Sequence, residues 1–589
     1  MAAVVSAYWN SLSVPFAFDD KAAIIENPTI RHLWPMTVPL SAPVSSGGAM
    51  GRPLVNLSLA VNYALGGLSV TGYHVANLAI HALATLALFG LMRRTFESAP
   101  LRDRFGRDAP LLAWAIALVW AVHPLLTESV TSVIQRTESF VSLWYLLTLY
   151  AFTRGAAAST PPARRWWQAA AVLACALGMM TKEVMVTAPV LVLLYDRTFW
   201  AGSFRAAWQQ RWRVHIALAA TWLILAVLVL RLGGSRGESA GVGLGVTTWD
   251  YALTQFHAVA LYLRLAFWPS PLVFDYGWDI IRDASAIWPQ IALVTALLAA
   301  TAVGLWRRPV LGFIGAWVFV ILSPSSSVVP LVAQTIAEHR MYLPLAALVA
   351  LVLGGLYRLT GRASLVIAGL LVPVLIATTI NRNRDYRTEL DLWMDTAAKL
   401  PTCARAQSNK AELLIAAGRG AEALAPAAEA VLLHPHYPEA LNNLGIALAQ
   451  TGRLAESIAP YEASLQARPT YAPAHANLGA ALAQLGRFDE AITHLETGLR
   501  LAPEGAEVPA LRNNLGSVYL QTGRLDEAIA QYDLVLQLKP GFIEAHFNRG
   551  AALAQTRRFR EAAEEFKAVL RLSPGHAGAQ QALDYVERR

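Results

Sequence analysis

Two adjacent carboxylates, Asp19 and Asp20 in the stretch Phe16-Ala17-Phe18-Asp19-Asp20, precede every long apolar run in this chain. Adjacent aspartates often form a turn or cap a helix. At a partly desolvated membrane interface they can also act as a base, because burial raises a carboxyl pKa toward the range where it accepts a proton usefully. More chemistry-bearing residues follow in short polar segments between apolar runs. His123, Glu128, Arg136 and Glu138 share one segment and Lys182-Glu183 form the next. Glu338, His339, Arg340 and Tyr342 follow Ser323-Pro324-Ser325-Ser326-Ser327. Each segment supplies a cation. Arg136, Lys182, Arg340 and His123, converging at a membrane surface, suit a lipid phosphate or pyrophosphate whose charge grows as its substituent leaves. Taken singly, each also reads as a snorkelling or internally paired charge. Asn27-Pro28, Arg52-Pro53-Leu54, Asn62-Tyr63, Gly66-Gly67 and Gly72-Tyr73-His74 punctuate an ordered first loop. Asn77 and His81, four apart, share a helical face inside the first span, where polar groups need partners.

These residues are positioned by two unlike halves. Of the 589 residues, 55% are hydrophobic, and the mean hydropathy is +0.40. The last third, however, is Ala/Glu/Leu-rich and charged. Apolar runs near 74–92, 110–126, 139–153, 166–180, 184–196, 214–231, 288–306, 309–322, 341–357 and 364–380 give about ten candidate spans,. The run 253–268, interrupted by Gln255, His257 and Arg264, suits an interfacial helix. The net charge of +8 sits largely between spans, where it reads as topology, and no basic groove for nucleic acid is evident. Arg93, Arg94, Arg102, Arg104, Arg107, Arg154, Arg164, Arg165, Arg197, Arg205, Arg211, Arg213, Arg307, Arg308, Arg358 and Arg362 mark cytoplasmic loops. The Asp19-Asp20 segment, the other polar loops and the C-terminal half then share the opposite side. Cys175 and Cys403 suggest neither a disulfide framework nor a thiolate metal site. The first residues lack the pattern of a cleavable signal.

After a linker at 381–403 the pattern changes to helix pairs. Asn443-Leu444-Gly445 recurs at Asn477, Asn514 and Asn548 with spacings of 34, 37 and 34, and the longer spacing places an insertion around Glu504–Glu507. Five tetratricopeptide repeats are predicted over 404–576, with a capping helix at 577–589. Asn409, Asn443, Asn477, Asn514 and Asn548 occupy one repeat position. Stacked, their amides would form a ladder able to grip an extended peptide backbone without reading its sequence; asparagine is also simply common there.

The order F-x-F-D-D, N-P, R-P-L, N-Y-x-L-G-G, G-Y-H-x-x-N-L-x-x-H, H-P-x-x-T-E-S-V, T-K-E and E-H-R-M-Y-L-P resembles the transmembrane and tetratricopeptide-repeat-containing O-mannosyltransferases, particularly their bacterial relatives. The resemblance implies an all-α, C-type glycosyltransferase membrane bundle over 1–380 followed by the repeat solenoid. It implies transfer of a sugar, mannose first, from a polyprenyl-phosphate donor to Ser/Thr of a protein acceptor held by the repeats. Asp19 would be the base and Asp20 would orient the acceptor or share the proton, although the reverse assignment also fits. Arg136, Lys182, Arg340 and His123 would assist the departing phosphate, supported by Arg52, His74, Glu128, Glu138, Glu183, Glu338 and Tyr342. No metal or resident cofactor is expected, the lipid-linked sugar being a substrate. The family places a span before the carboxylate pair, whereas Met1–Ala17 is too short for one, so an earlier start or a missing helix is expected. A bacterial inner membrane with the repeats facing the periplasm or exterior fits this reading. The alternatives are a ligase for larger lipid-linked glycans and a non-catalytic membrane-anchored scaffold.

Overall fold

The computed structural model describes residues 1–43, 46–231, 246–277, 279–326, 331, 334–505 and 507–589. Ser327 of the fourth polar loop and Ala506 of the expected insertion lie outside the described residues. The chain divides into two units, Met1–Leu400 and Pro401–Arg589, and both are helical.

In the first unit every apolar run named above falls on a helix, among them Val70–Phe96, Arg136–Ala156, Trp288–Arg307 and Ala363–Asn383. Among the described residues five helical segments are individually long and apolar enough to cross a membrane. A sixth appears if Arg102–Ala121 and Pro124–Thr131, bent by 56°, count as one; Pro309–Leu322 and Pro344–Thr360 are apolar but shorter. The apolar faces of these helices point outward as well as inward: Trp306 is 86% exposed, Leu230 76% and Leu370 71%. A protein in water would hide such surface, whereas lipid solvates it, and the unit is membrane-embedded. Helices close on one another through small residues. A Cβ on Gly312 would come within 2.1 Å of the Leu305 backbone nitrogen, so the turn between Trp288–Arg307 and Pro309–Leu322 depends on the missing side chain,.

The first loop is a packed cap. Asn27 begins a 3-10 turn by accepting from the Thr29 amide at 3.0 Å and donates to Asn56 Oδ1 at 2.8 Å; Asn56 in turn donates to the Pro39 carbonyl. Arg31 donates to the Ile24 and Ile25 carbonyls and lies 4.4 Å over the Tyr63 ring. Beneath them Ile24, Ile30, Leu59, Tyr73 and Val133 form a separate apolar core. The N-terminal helix Ala2–Tyr8 also buries Val4, Ala7 and Tyr8.

The helix Thr248–Phe267 lies along the same end of the bundle. Tyr251 donates to the Ser325 carbonyl, Gln255 to the Thr335 carbonyl, and the Ala337 amide donates to Tyr262 Oη, so the helix touches the loop after Pro309–Leu322 at three points along its length. Residues 381–403 are not a free linker. They contain the helix Glu389–Lys399, whose Asp395 receives Arg382 at 3.0 Å and Lys399 at 2.8 Å, tying it to the end of Ala363–Asn383 within the first unit.

The described residues of the second unit form five helix pairs, from Ala404–Ala416 with Gly420–Leu433 to Ile543–Gln555 with Phe559–Leu572, closed by Ala577–Glu587. Glycine sets the spacing within a pair. A Cβ on Gly445 would meet the Tyr461 ring at 2.4 Å, and on Gly550 the Phe566 ring at 2.7 Å,.

Candidate functional site

Phe18 is one of two non-glycine residues with positive φ among the described residues, at 50°. The left-handed conformation costs an L-residue roughly 1–2 kcal/mol, and ring contacts to Phe274 (5.9 Å) and Trp393 (5.7 Å) hold it there. The next two residues therefore leave the turn in different directions. Asp20 is buried, accepting from the Ile134 amide at 2.7 Å and from the Ala17 amide at 3.3 Å. It pins the first loop to the second, and burial pushes its carboxyl up to about 7. Asp19 is half-buried and within electrostatic reach of Arg52.

From Asp19 a chain of alternating charges runs through the polar loops. Arg52 lies 3.6 Å from Glu183 and donates to the Gly48 carbonyl at 2.6 Å. Lys182 pairs with Glu138, and His339 Nε2 stands 3.7 Å from the same carboxylate. His339 Nδ1 is 2.7 Å from Glu128. Burial pushes the His339 imidazole down to about 3, so it is a neutral bridge rather than a cation,. Glu338 faces the other way, accepting from the Val273 amide at 2.7 Å and the Tyr276 hydroxyl at 2.9 Å, with burial raising its carboxyl to about 7. The separated polar segments of the sequence thus meet at one end of the bundle.

Several residues expected on a donor phosphate are engaged elsewhere. Arg136 is fully buried, donating to Asn62 Oδ1 at 2.7 Å and to the Tyr73 carbonyl at 3.0 Å. Arg340 donates to the Gln334, Thr335 and Ser325 carbonyls and straps its own loop. His123 accepts from the Leu125 amide as the cap of Pro124–Leu126. The two arginines, as donors, and His123, as a neutral ring that accepts, satisfy groups that the irregular loops leave open, which is why all three are buried,. Lys182 and Arg52 retain side-chain exposures of 16% and 12%. His74 meets the Val14 carbonyl at 2.8 Å, and Tyr342 lies 2.5 Å from His81. Asn77 donates to the Val130, Ser132 and Val133 carbonyls, so both intramembrane polar residues have structural partners.

Sequence reasoning missed Phe274, Tyr276, Arg382 and Trp393, which brace the Asp19 turn and Glu338. The segment Phe274-Asp275-Tyr276-Gly277 carried the signal: an acid and aromatics in a loop directly after a helix rich in polar residues. Among the described residues no three His, Cys, Asp or Glu side chains converge as metal ligands.

In the repeats the asparagine position has a second use. Asn443 donates to Ser408, Asn477 to Asn442 at 2.9 Å, and Asn548 to Asn513 at 3.4 Å, each reaching the residue just before the equivalent asparagine one repeat earlier. Asn514 faces Ala476 at that place and makes no side-chain hydrogen bond among the described residues; Asn409 has no preceding repeat to reach.

These features define a multi-helix membrane protein with an acidic, charge-networked end and a tetratricopeptide-repeat solenoid. Residues 408–472, 470–541 and 543–576 match models of the tetratricopeptide repeat. Among curated proteins the chain is similar to protein O-mannosyl-transferase Tmtc2 of Drosophila melanogaster, 27% identical over 315 residues, covering 50% of this chain and 32% of that protein. It is likewise similar to protein O-mannosyl-transferase TMTC1 of Homo sapiens, 25% identical over 510 residues, covering 74% of this chain and 55% of that protein. The resemblance seen in the motifs therefore extends across both units, while the chain spans only a third to about half the length of these two relatives. Among solved structures, the tetratricopeptide-repeat protein YrrB matches at 22% identity and a TM-score of 0.28, over 33% of this chain and 99% of that one.

Proposed function

We propose that the chain is a membrane glycosyltransferase that moves a single sugar, mannose first, from a polyprenyl-phosphate carrier to Ser or Thr of a protein bound by the repeats. What supports this reading is the contrast at Asp19-Asp20: Asp20 is buried and accepts from the Ile134 amide, whereas its neighbour Asp19 is half-buried within electrostatic reach of Arg52. The O-mannosyl-transferase relatives support it. The acceptor hydroxyl attacks the sugar C1 as Asp19 takes its proton, and the bond from C1 to the phosphate oxygen breaks, leaving polyprenyl phosphate. Asp20 acts as a positioning residue. Lys182 and Arg52, rather than the buried Arg136 and Arg340, assist the departing phosphate, exchanging Glu138 and Glu183 for it. The polar end and the repeats face the periplasm or exterior of a bacterial inner membrane, and Asn409 and Asn514 offer amides to the acceptor backbone.

Transfer assays in membranes that compare polyprenyl-phosphate mannose with a pyrophosphate-linked oligosaccharide test the reading. Mannosyl protein from the first donor supports it; transfer from the oligosaccharide alone would favour a glycan ligase.

A further inference from the structure

At the opposite end of the bundle from Asp19 lies a cavity of about 470 Å³, within the size range of small-molecule sites. Val70–Phe96 sets the separation: its His74 is bonded to Val14 near the acidic turn, whereas Thr95 and Phe96, roughly 30 Å further along the helix, line the cavity. The walls are apolar, with Phe199, Phe313 and Trp317 among them. Two lining residues, Leu311 and Leu351, are 57% and 39% exposed on the lipid-facing surface, so the mouth opens sideways into the apolar layer. Four arginines from three separate segments, Arg104, Arg307, Arg308 and Arg358, line the same cavity.

None of the four makes an ion pair or side-chain hydrogen bond among the described residues. Their neighbours do: Arg93 pairs with Glu97 at 2.9 Å, and Arg362 pairs with Asp108 at 2.7 Å. Arginines serving only to fix orientation need not converge. An apolar slot open to the bilayer, rimmed by unpaired guanidinium groups at headgroup level, matches an anionic lipid whose chain enters the slot and whose phosphate meets the arginines. The geometry points to a site for an anionic bilayer phospholipid at this end, separate from the proposed transferase centre and independent of that reading.

The test uses the full chain, purified in mild detergent and titrated with cardiolipin or phosphatidylcholine, with bound lipid read by native mass spectrometry. Cardiolipin is expected to be retained at least about tenfold more tightly than phosphatidylcholine. Replacing the four arginines (Arg104→Gln, Arg307→Gln, Arg308→Gln, Arg358→Gln) should abolish the preference. Gly354→Leu should weaken retention by filling the slot; a Cβ there meets no atom within 4 Å, so folding is spared. Arg164→Gln with Arg165→Gln, an equal kind of charge loss elsewhere on this side, should leave the preference intact. Equal retention of both lipids by the unmodified chain would overturn the proposal, as would an unchanged preference in the four-arginine variant. Loss of preference in the Arg164/Arg165 variant would do the same, and so would displacement of cardiolipin by an equal concentration of polyprenyl phosphate.

Discussion

Asp20 is a carboxyl whose environment favours its neutral form, and Asp20→Asn isolates that effect. Burial raises it from 3.8 to about 7 despite the Ile134 and Ala17 amides, which pull the other way. The side-chain carbonyl of asparagine can still accept from Ile134, so the substitution removes the titration and keeps the strut. Between pH 4 and pH 7 the folded chain retains a proton that the unfolded chain has released. Stability therefore falls as pH rises through this window and is flat above it. The raised carboxyl corresponds to about 4 kcal/mol in total, roughly 1.4 kcal/mol per pH unit at most. Thermal unfolding followed by tryptophan fluorescence, in one detergent from pH 4.5 to 8, should show the wild-type chain losing stability relative to Asp20→Asn with rising pH. Glu338, shifted in the same sense, is common to both proteins and cancels. A difference that stays constant, or that grows in favour of the wild type with rising pH, would refute the buried-strut assignment.

The ion pair of Lys182 with Glu138 is nearly enclosed, so Lys182→Met should cost about 3–5 kcal/mol by leaving a buried carboxylate unpaired, with partial recovery in the Lys182→Met/Glu138→Gln double variant; the same unfolding measurement reads both. Gly445→Ala should destabilise its repeat by about 1–3 kcal/mol through the clash with Tyr461, outweighing alanine's better helix propensity,; faster hydrogen exchange over 438–467 would show it. Asn477→Ala should cost about 1 kcal/mol of repeat stability through its lost bond to Asn442,, whereas Asn514→Ala should leave exchange unchanged and weaken binding of an extended Ser/Thr-rich peptide.

The helices of both units were legible because the signals are local: long apolar runs in the first, and a fixed spacing of small residues, prolines and asparagines in the second. The repeat boundaries followed from Gly445, Gly479, Gly516 and Gly550, whose missing side chains admit a ring or leucine from the partner helix. What the sequence concealed was which cations were already occupied. Arg136, Lys182 and Arg340 look alike as single charges between apolar runs, but only the folded loops show that two of them hold carbonyls from residues five to 63 positions away. The 381–403 segment misled because its polarity resembles a linker, while its buried face, Leu392, Trp393, Thr396 and Ala397, becomes apparent only once the Phe18 turn is in place. The Asn ladder shows the same limit: its regularity was plain, but its use in stitching repeats depends on Ser408, Asn442 and Asn513 on the neighbouring helices.

In the proposed transfer Asp19 takes the acceptor's proton and Asp20 holds the turn. The most direct measurement supplies labelled polyprenyl-phosphate mannose to membranes containing equal amounts of folded wild-type, Asp19→Asn and Asp20→Asn protein and counts label in protein. Transfer should fall by about 10²-fold or more in Asp19→Asn, with a smaller loss in Asp20→Asn. Undiminished transfer by Asp19→Asn would contradict the assignment.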